Sequence, residues 1–229
     1  MRISTKAWFA LLIGLLFTCG ESVRGELIDF EAGFARLDPV GTVVTATNGL
    51  TFSTLGMNNL PPRVAEVGRT PKDAFETVSD GVLVGDTPRG GNAGRYFLSA
   101  GAGNLNDYLF DFGRPVSQFE LDLYDYVGDG GAAPTDFATL RAYSDAARTS
   151  EVASAVYVVP RPRPTDGLVV PLAVSAPSIV ALTLAFSTPD RGTGIDNIRF
   201  VTVPEPSAVS LVAMAATLVW GWCRRRRRA

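Results

Sequence analysis

The residue types available for chemistry in this chain are carboxylates and tyrosines, with little else. It contains no histidine, which removes the usual general base of serine and cysteine hydrolases and the commonest zinc ligand. Its two cysteines, Cys19 and Cys223, lie near the ends, so thiol catalysis and thiolate metal sites are missing from the stretch between them. Lys72 is the only lysine between residues 26 and 203, and its Pro-Lys-Asp setting reads as a solvated turn. The glycine-rich run from Gly81 to Gly94 lacks the lysine of a phosphate-cradling loop. No residue is therefore put forward as catalytic.

Two segments concentrate the remaining oxygen donors. In Gly194-Ile195-Asp196-Asn197-Ile198-Arg199-Phe200-Val201, strand alternation puts Asp196 on the side of Ile198 and Phe200. If that side is core, the carboxylate needs a partner, because burying it alone is costly. Leu27-Ile28-Asp29-Phe30-Glu31 supplies one if the first and last strands lie side by side. Asp29, Glu31 and Asp196 would then offer oxygen ligands to a calcium ion tying the two ends together; the alternative is that Asp196 caps a turn or accepts from backbone amides. The second segment, Tyr124-Asp125-Tyr126-Val127-Gly128-Asp129, is an acidic, aromatic loop between strands. Tyr124 and Tyr126 offer faces that stack on sugar rings, and Asp125 and Asp129 offer acceptors for hydroxyls or ligands for calcium, unless the tyrosines pack into the core. Glycoside hydrolysis needs only two carboxylates, but among so many acidic residues a suitably spaced pair arises by chance.

The elements that must position these groups are strands. Phe119 to Leu123 alternates apolar with charged, and Ala138 to Tyr143 does so more weakly, as half-buried strands should. Ile179 to Phe186 is apolar or small on both faces and belongs in the middle of a sheet. Further strands are expected at Leu27–Phe30, Gly49–Thr54, Gly81–Val84, Arg95–Leu98, Tyr108–Phe112, Val152–Val159, Gly167–Leu172 and Gly194–Val201. Asn48-Gly49, Asp80-Gly81, Gly90-Gly91, Asp129-Gly130-Gly131 and Asp166-Gly167 separate them as turns. Leu60 to Ala74 fits this pattern least and reads as a long loop with a short helix near Pro71–Phe75. The expected fold is all-β, an antiparallel β-sandwich of jelly-roll type spanning 26–203.

The ends read as targeting segments. Met1 to Lys6 is basic and Ala7 to Cys19 apolar but too short to span a bilayer comfortably, which gives a signal peptide over 1–25 with cleavage after Gly25. At the other end, Val203-Pro204-Glu205-Pro206-Ser207 leads into an uncharged run to Cys223, then Arg224, Arg225, Arg226, Arg227 and Arg228. Ser207 to Cys223 is about 25 Å long as a helix, enough for one short transmembrane crossing. The arginines stop it on the cytoplasmic side, leaving the rest of the chain outside. Pro204 and Pro206 hold the preceding strip extended and exposed. Once both ends are set aside, 26–203 holds 13 Lys+Arg and 21 Asp+Glu, a net charge of −8. Such a body repels nucleic acid and anionic lipid and suits divalent cations or neutral glycans.

The order Pro-Glu-Pro, short span, arginine cluster resembles the PEP-CTERM sorting signal of exported bacterial proteins, here over 204–229. The resemblance implies recognition by an exosortase-like processing enzyme, after signal peptidase and the secretion machinery have acted, in an exopolysaccharide-producing setting. The precursor would be anchored in the inner membrane and the product released to the cell surface or matrix. The first and last strand segments also resemble those of carbohydrate-binding-module and discoidin-like jelly rolls, which implies a structural calcium held by an early Glu and a late Asp. The expectation is a non-catalytic structural, adhesive or glycan-binding surface protein, with no cofactor beyond that calcium. The alternatives are a glycan-active hydrolase using two carboxylates and a permanently anchored single-pass membrane protein.

Overall fold

The structure, a computed structural model, describes residues 25–55, 62–66, 94–99, 107–124, 126, 136–160, 168–187 and 193–204. Ten strands make up its regular structure: β1 (Gly25–Ile28), β2 (Thr42–Val44), β3 (Gly49–Leu55), β4 (Arg63–Glu66), β5 (Tyr96–Ser99), β6 (Asp107–Tyr124), β7 (Phe137–Tyr143), β8 (Glu151–Val158), β9 (Val169–Phe186) and β10 (Gly194–Thr202). Every pairing between them is antiparallel, and the main path runs β4-β5-β10-β6-β9-β7-β8, with β1 beside β10 and β3 bridging β2 to β6.

Two strands organise the molecule. β6 and β9, each 18 residues, pair along their lengths. The first half of β6 also pairs with β3, and its second half with β10. Between the halves the register with β9 shifts twice, around Val116. Shifts of this kind let a strand bend and pass from one layer of a sandwich to the other. The bend brings the two halves of β6 face to face: the Phe110 and Phe119 rings lie 5.4 Å apart, and Phe112 meets Phe119 at 5.8 Å and Phe200 at 5.6 Å. Phe30, Phe52 and Phe110 continue the aromatic core edge to face. The sheet thus folds over on itself around one main hydrophobic core, the arrangement of an antiparallel β-sandwich.

The bend accounts for a difference from the sequence reading. Tyr108–Phe112 and Phe119–Leu123 belong to one strand, as do residues 169–172 and Ile179–Phe186. Gly113, Pro115 and Pro177 read as strand breakers, yet glycine and proline are tolerated where a strand bulges or turns a corner. Asn48 pins that corner. Buried at 5% exposure, its Oδ1 accepts the Arg114 and Gly49 N–H groups and its Nδ2 donates to the Arg114 carbonyl. Gly113 passes so near the Gly49 backbone that a Cβ there would sit 3.3 Å from its N and O.

Leu60–Ala74, expected as loop, contains strand β4 at Arg63–Glu66, and Thr42–Val44 forms the unexpected β2. The expected strand at Gly81–Val84, the helix near Pro71–Phe75 and the turns at 80–81, 90–91, 129–131 and 166–167 lie outside the described residues. So do the signal segment and everything after Pro204. Among the described residues no helix is long and apolar enough to cross a membrane.

Candidate functional site

The face of the sheet turned away from the main core carries most of the chain's described chemistry. On β6 the core side holds Phe119, Leu121 and Leu123, so Gln118, Glu120, Asp122 and Tyr124 point the other way. Each of these four stands in a rung across β9, β6 and β10: Ser175–Gln118–Val201, Ala173–Glu120–Arg199, Pro171–Asp122–Asp196 and Val169–Tyr124–Gly194. Along the row solvent access closes: Gln118 is exposed, Glu120 intermediate, Asp122 and Tyr124 buried.

The structure corrects the expected orientation of Asp196. Pairing passes from Asp196↔Asp122 to Arg199↔Glu120, so β10 has one residue more than β6 between these rungs. Asn197 takes φ of +49° there, a left-handed conformation that asparagine tolerates better than most residues. This bulge reverses the alternation. Ile198 and Phe200 face the core, while Asp196 joins Asp122 and Tyr124 on the outer face. Simple alternation, which assumes an unbroken strand, placed Asp196 with Ile198 and Phe200.

Asp196 is nonetheless fully buried. Its Oδ2 accepts the Tyr124 hydroxyl at 3.1 Å, and its Oδ1 has no hydrogen-bond partner. Burial pushes its carboxyl up to about 7, and the charge of Glu31 adds to the effect, against the opposing pull of the Tyr124 and backbone hydrogen bonds. Burial, then the Asp196 charge, drives the Tyr124 hydroxyl well above its ordinary value. Asp122 is also raised, again chiefly by burial, although the Asn197 amide at 3.0 Å and the Arg199 charge work against this. Arg199 ties the rungs together: its Nη1 donates to Glu120 Oε1 at 2.8 Å and its Nη2 lies 4.0 Å from Asp122 Oδ2.

The first strand does lie beside the last. Gly25–Ile28 pairs with residues 198–201. The chain beyond it brings Glu31 to the same region, where its Oε1 accepts the Tyr96 N–H at 2.8 Å. Gly94 makes room for this, since a Cβ there would collide with the Glu31 carboxylate. Asp29 Oδ1 accepts the Glu31 N–H at 3.2 Å. Among the described residues no group of three or more acidic side chains is placed to hold a metal ion; of the expected ligands, Glu31 lies close enough for its charge to act on Asp196.

Of the expected ligand loop, Tyr124 and Tyr126 are both buried. Tyr124 packs against Phe97, and the Tyr126 hydroxyl donates to the Phe137 carbonyl at 3.1 Å. Asp125 and Asp129 lie outside the described residues, as do the sorting-motif residues from Glu205 onward and the arginines 224–228; Val203 and Pro204 close the described chain just after β10.

The open end of the rung array forms a groove of about 240 Å³ lined by Gln118, Glu120, Ala173, Ser175, Arg199 and Val201. Sequence reasoning missed every residue of this groove, Gln118, Glu120, Ser175 and Arg199 among them. The signal was present in the alternation of β6, which places Gln118, Glu120 and Asp122 in one row, but only the strand order shows which residues of β9 and β10 complete it.

Comparison with protein families finds no match, and comparison with curated proteins finds none. Among solved structures the chain is similar to the family 11 carbohydrate-binding module of a cellulosomal cellulase of Clostridium thermocellum, at 9% identity over 81% of this chain and 98% of that one, with a TM-score of 0.31.

Proposed function

We propose that this chain is an exported surface protein whose β-sandwich body binds a neutral glycan, without catalysis, in the groove across β9, β6 and β10. The observation that carries the reading is the groove itself. Its small walls, Ala173 and Ser175, leave the Glu120–Arg199 pair and Gln118 open to a ligand lying across the strands. A carboxylate and a guanidinium side by side match the alternating donors and acceptors of vicinal hydroxyls, while the acidity of the body disfavours anionic partners. The jelly-roll form of the sandwich belongs to the same proposal. So does delivery: a signal peptide over 1–25, a short span over Ser207–Cys223 stopped by Arg224–Arg228, and processing at the Pro-Glu-Pro strip by an exosortase-like enzyme. Support for the tail comes from the order of its three features in the sequence. A mass spectrum of the surface-exposed protein tests it, since an intact arginine-rich C-terminus would remove the processing step.

Calcium at Glu31 and Asp196 is part of this reading, supported by the free Oδ1 of Asp196 beside a second carboxylate. The ion would bring its own charge to the site and lower the cost of burying Asp196 ionised. Calorimetric titration with calcium, repeated on Asp196→Ala, tests it; absence of calcium heat from the unmodified protein overturns it.

One observation favours a second reading. Asp122 and Asp196 are neighbouring carboxylates, both raised by burial, one of them to about 7, which is how a hydrolase keeps a proton available. Asp196 has no solvent-exposed surface, so the non-catalytic reading stands ahead. Release of reducing ends from oligosaccharides, lost in Asp196→Asn, would reverse that order.

A further inference from the structure

The outer-face rungs of the groove continue one strand further, onto β1. Its register sets Leu27 opposite Arg199, Arg199 stands opposite Glu120, and Glu120 opposite Ala173. Directly opposed residues of antiparallel strands project from the same face of a sheet. Leu27 therefore stands beside the Glu120–Arg199 pair, where it is 53% exposed. In the next rung Val201, half-buried, lies opposite Gln118 and lines the groove; Leu27 and Val201 are diagonal neighbours across β1 and β10. The surface is thus two-sided. Toward β6 and β9 it presents Gln118, Glu120 and Ser175, which hydrogen-bond, and toward β1 it presents two aliphatic side chains. No aromatic ring stands on this face in these rungs, since Phe119 and Phe200 are turned to the core, and Tyr124, further along the row, is buried. Leu27 lies beyond the proposed leader, so it remains in the exported chain.

These features select among neutral sugars. A flat aromatic platform covers the whole face of a sugar ring, whereas two aliphatic side chains at one end of a polar strip offer contact to a single apolar substituent. An exocyclic hydroxymethyl group placed there gives up water from its hydroxyl, and neither Leu27 nor Val201 has a side-chain donor or acceptor to replace it. An acetamido group brings both an N–H and a carbonyl to a place where the neighbouring Arg199 side chain supplies donors alone. A methyl group on the ring asks only for apolar contact. We propose that the ligand of the groove is a 6-deoxyhexose, its ring hydroxyls on Gln118, Glu120 and Arg199 and its methyl group against Leu27 and Val201. This rests on the glycan-binding reading above and adds the class of sugar to it. In this arrangement the Glu120–Arg199 pair supplies affinity that any neutral sugar shares, and Leu27 is the residue that discriminates.

Sugars matched in every ring hydroxyl test the discrimination. The purified full chain in detergent is titrated with the methyl glycosides of L-fucose and L-galactose, of L-rhamnose and L-mannose, and of N-acetylglucosamine and glucose, binding being read by calorimetry. At least one 6-deoxy sugar should bind about fourfold or more tighter than its hydroxymethyl counterpart, the effect of burying one methyl group against apolar side chains. Leu27→Ala should bring that pair level. Because Leu27 is more than half exposed, the substitution leaves the core untouched. Leu55→Ala, a similarly exposed aliphatic site on β3, should keep the preference. Arg199→Ala should weaken both members of the pair alike. Equal binding within both 6-deoxy pairs, a preference that survives Leu27→Ala, or a Leu27-dependent preference for the acetamido sugar instead would overturn this proposal and leave the glycan-binding reading standing. Absence of binding by every sugar would overturn both.

Discussion

Replacing Asp196 by asparagine isolates the cost of the buried carboxylate. Its carboxyl is raised from an ordinary 3.8 to about 7, mainly by burial. Between these values the folded protein holds a proton that the unfolded chain has released, so stability falls as pH rises from about 4 to about 7 and then levels off. A tenfold change in proton affinity is worth about 1.4 kcal/mol, so the full penalty above neutral pH is on the order of 4 kcal/mol. Asp196 has no exposed surface to soften this. Asparagine keeps an oxygen for the Tyr124 hydroxyl and does not titrate. In chelator, urea unfolding of a fragment spanning residues 25–204 should therefore show Asp196→Asn more stable than the native sequence at pH 8, by up to about 4 kcal/mol, and the advantage should vanish near pH 4. Excess calcium should stabilise the native fragment at pH 8 and leave the variant unmoved. A variant destabilised equally at pH 4 and pH 8 would refute the reasoning, because the carboxylate would then be acting through its shape and bonds instead of its charge.

Other consequences follow from packing. Phe110→Ala removes a fully buried ring in contact with Phe52 and Phe119 and should cost about 3–5 kcal/mol in the same unfolding assay. Asn48→Ala removes the side chain that satisfies the Arg114 N–H and carbonyl at the β6 corner; a loss of about 2 kcal/mol is expected, with faster amide exchange at Gly113 and Arg114. Tyr124→Phe strips Asp196 Oδ2 of its side-chain donor and should raise the Asp196 carboxyl further, moving the pH-dependent loss of stability to higher pH.

Much of the sandwich was legible because strand patterns carry their own period. β7, β8 and β10 fall within a residue or two of where apolar alternation puts them. The sequence pattern divides β6 and β9 each in two, because nothing local reveals that a corner, in β6 pinned by Asn48 from 66 residues away, carries the strand through. The site was half legible. Asp196 and Glu31 drew notice as acidic residues in apolar strand surroundings, and antiparallel pairing of the end strands brings them to one region. Which way Asp196 points depends on the bulge at Asn197, and an Asp-Asn pair inside an apolar run carries no warning that the alternation will reverse. Arg199 and Gln118 look like ordinary surface residues until strand order aligns them across the same groove.

The measurement that bears most directly on the central claim is a calorimetric survey of neutral oligosaccharides on the protein alongside Arg199→Ala and Glu120→Ala. Saturable binding of at least one neutral glycan by the native sequence, weakened about tenfold or more in each variant through loss of a charged hydrogen-bond partner, is the predicted result. Binding that survives both substitutions, or no binding by any form while urea unfolding shows the fold intact, would contradict the assignment of the β9–β6–β10 face as the ligand surface.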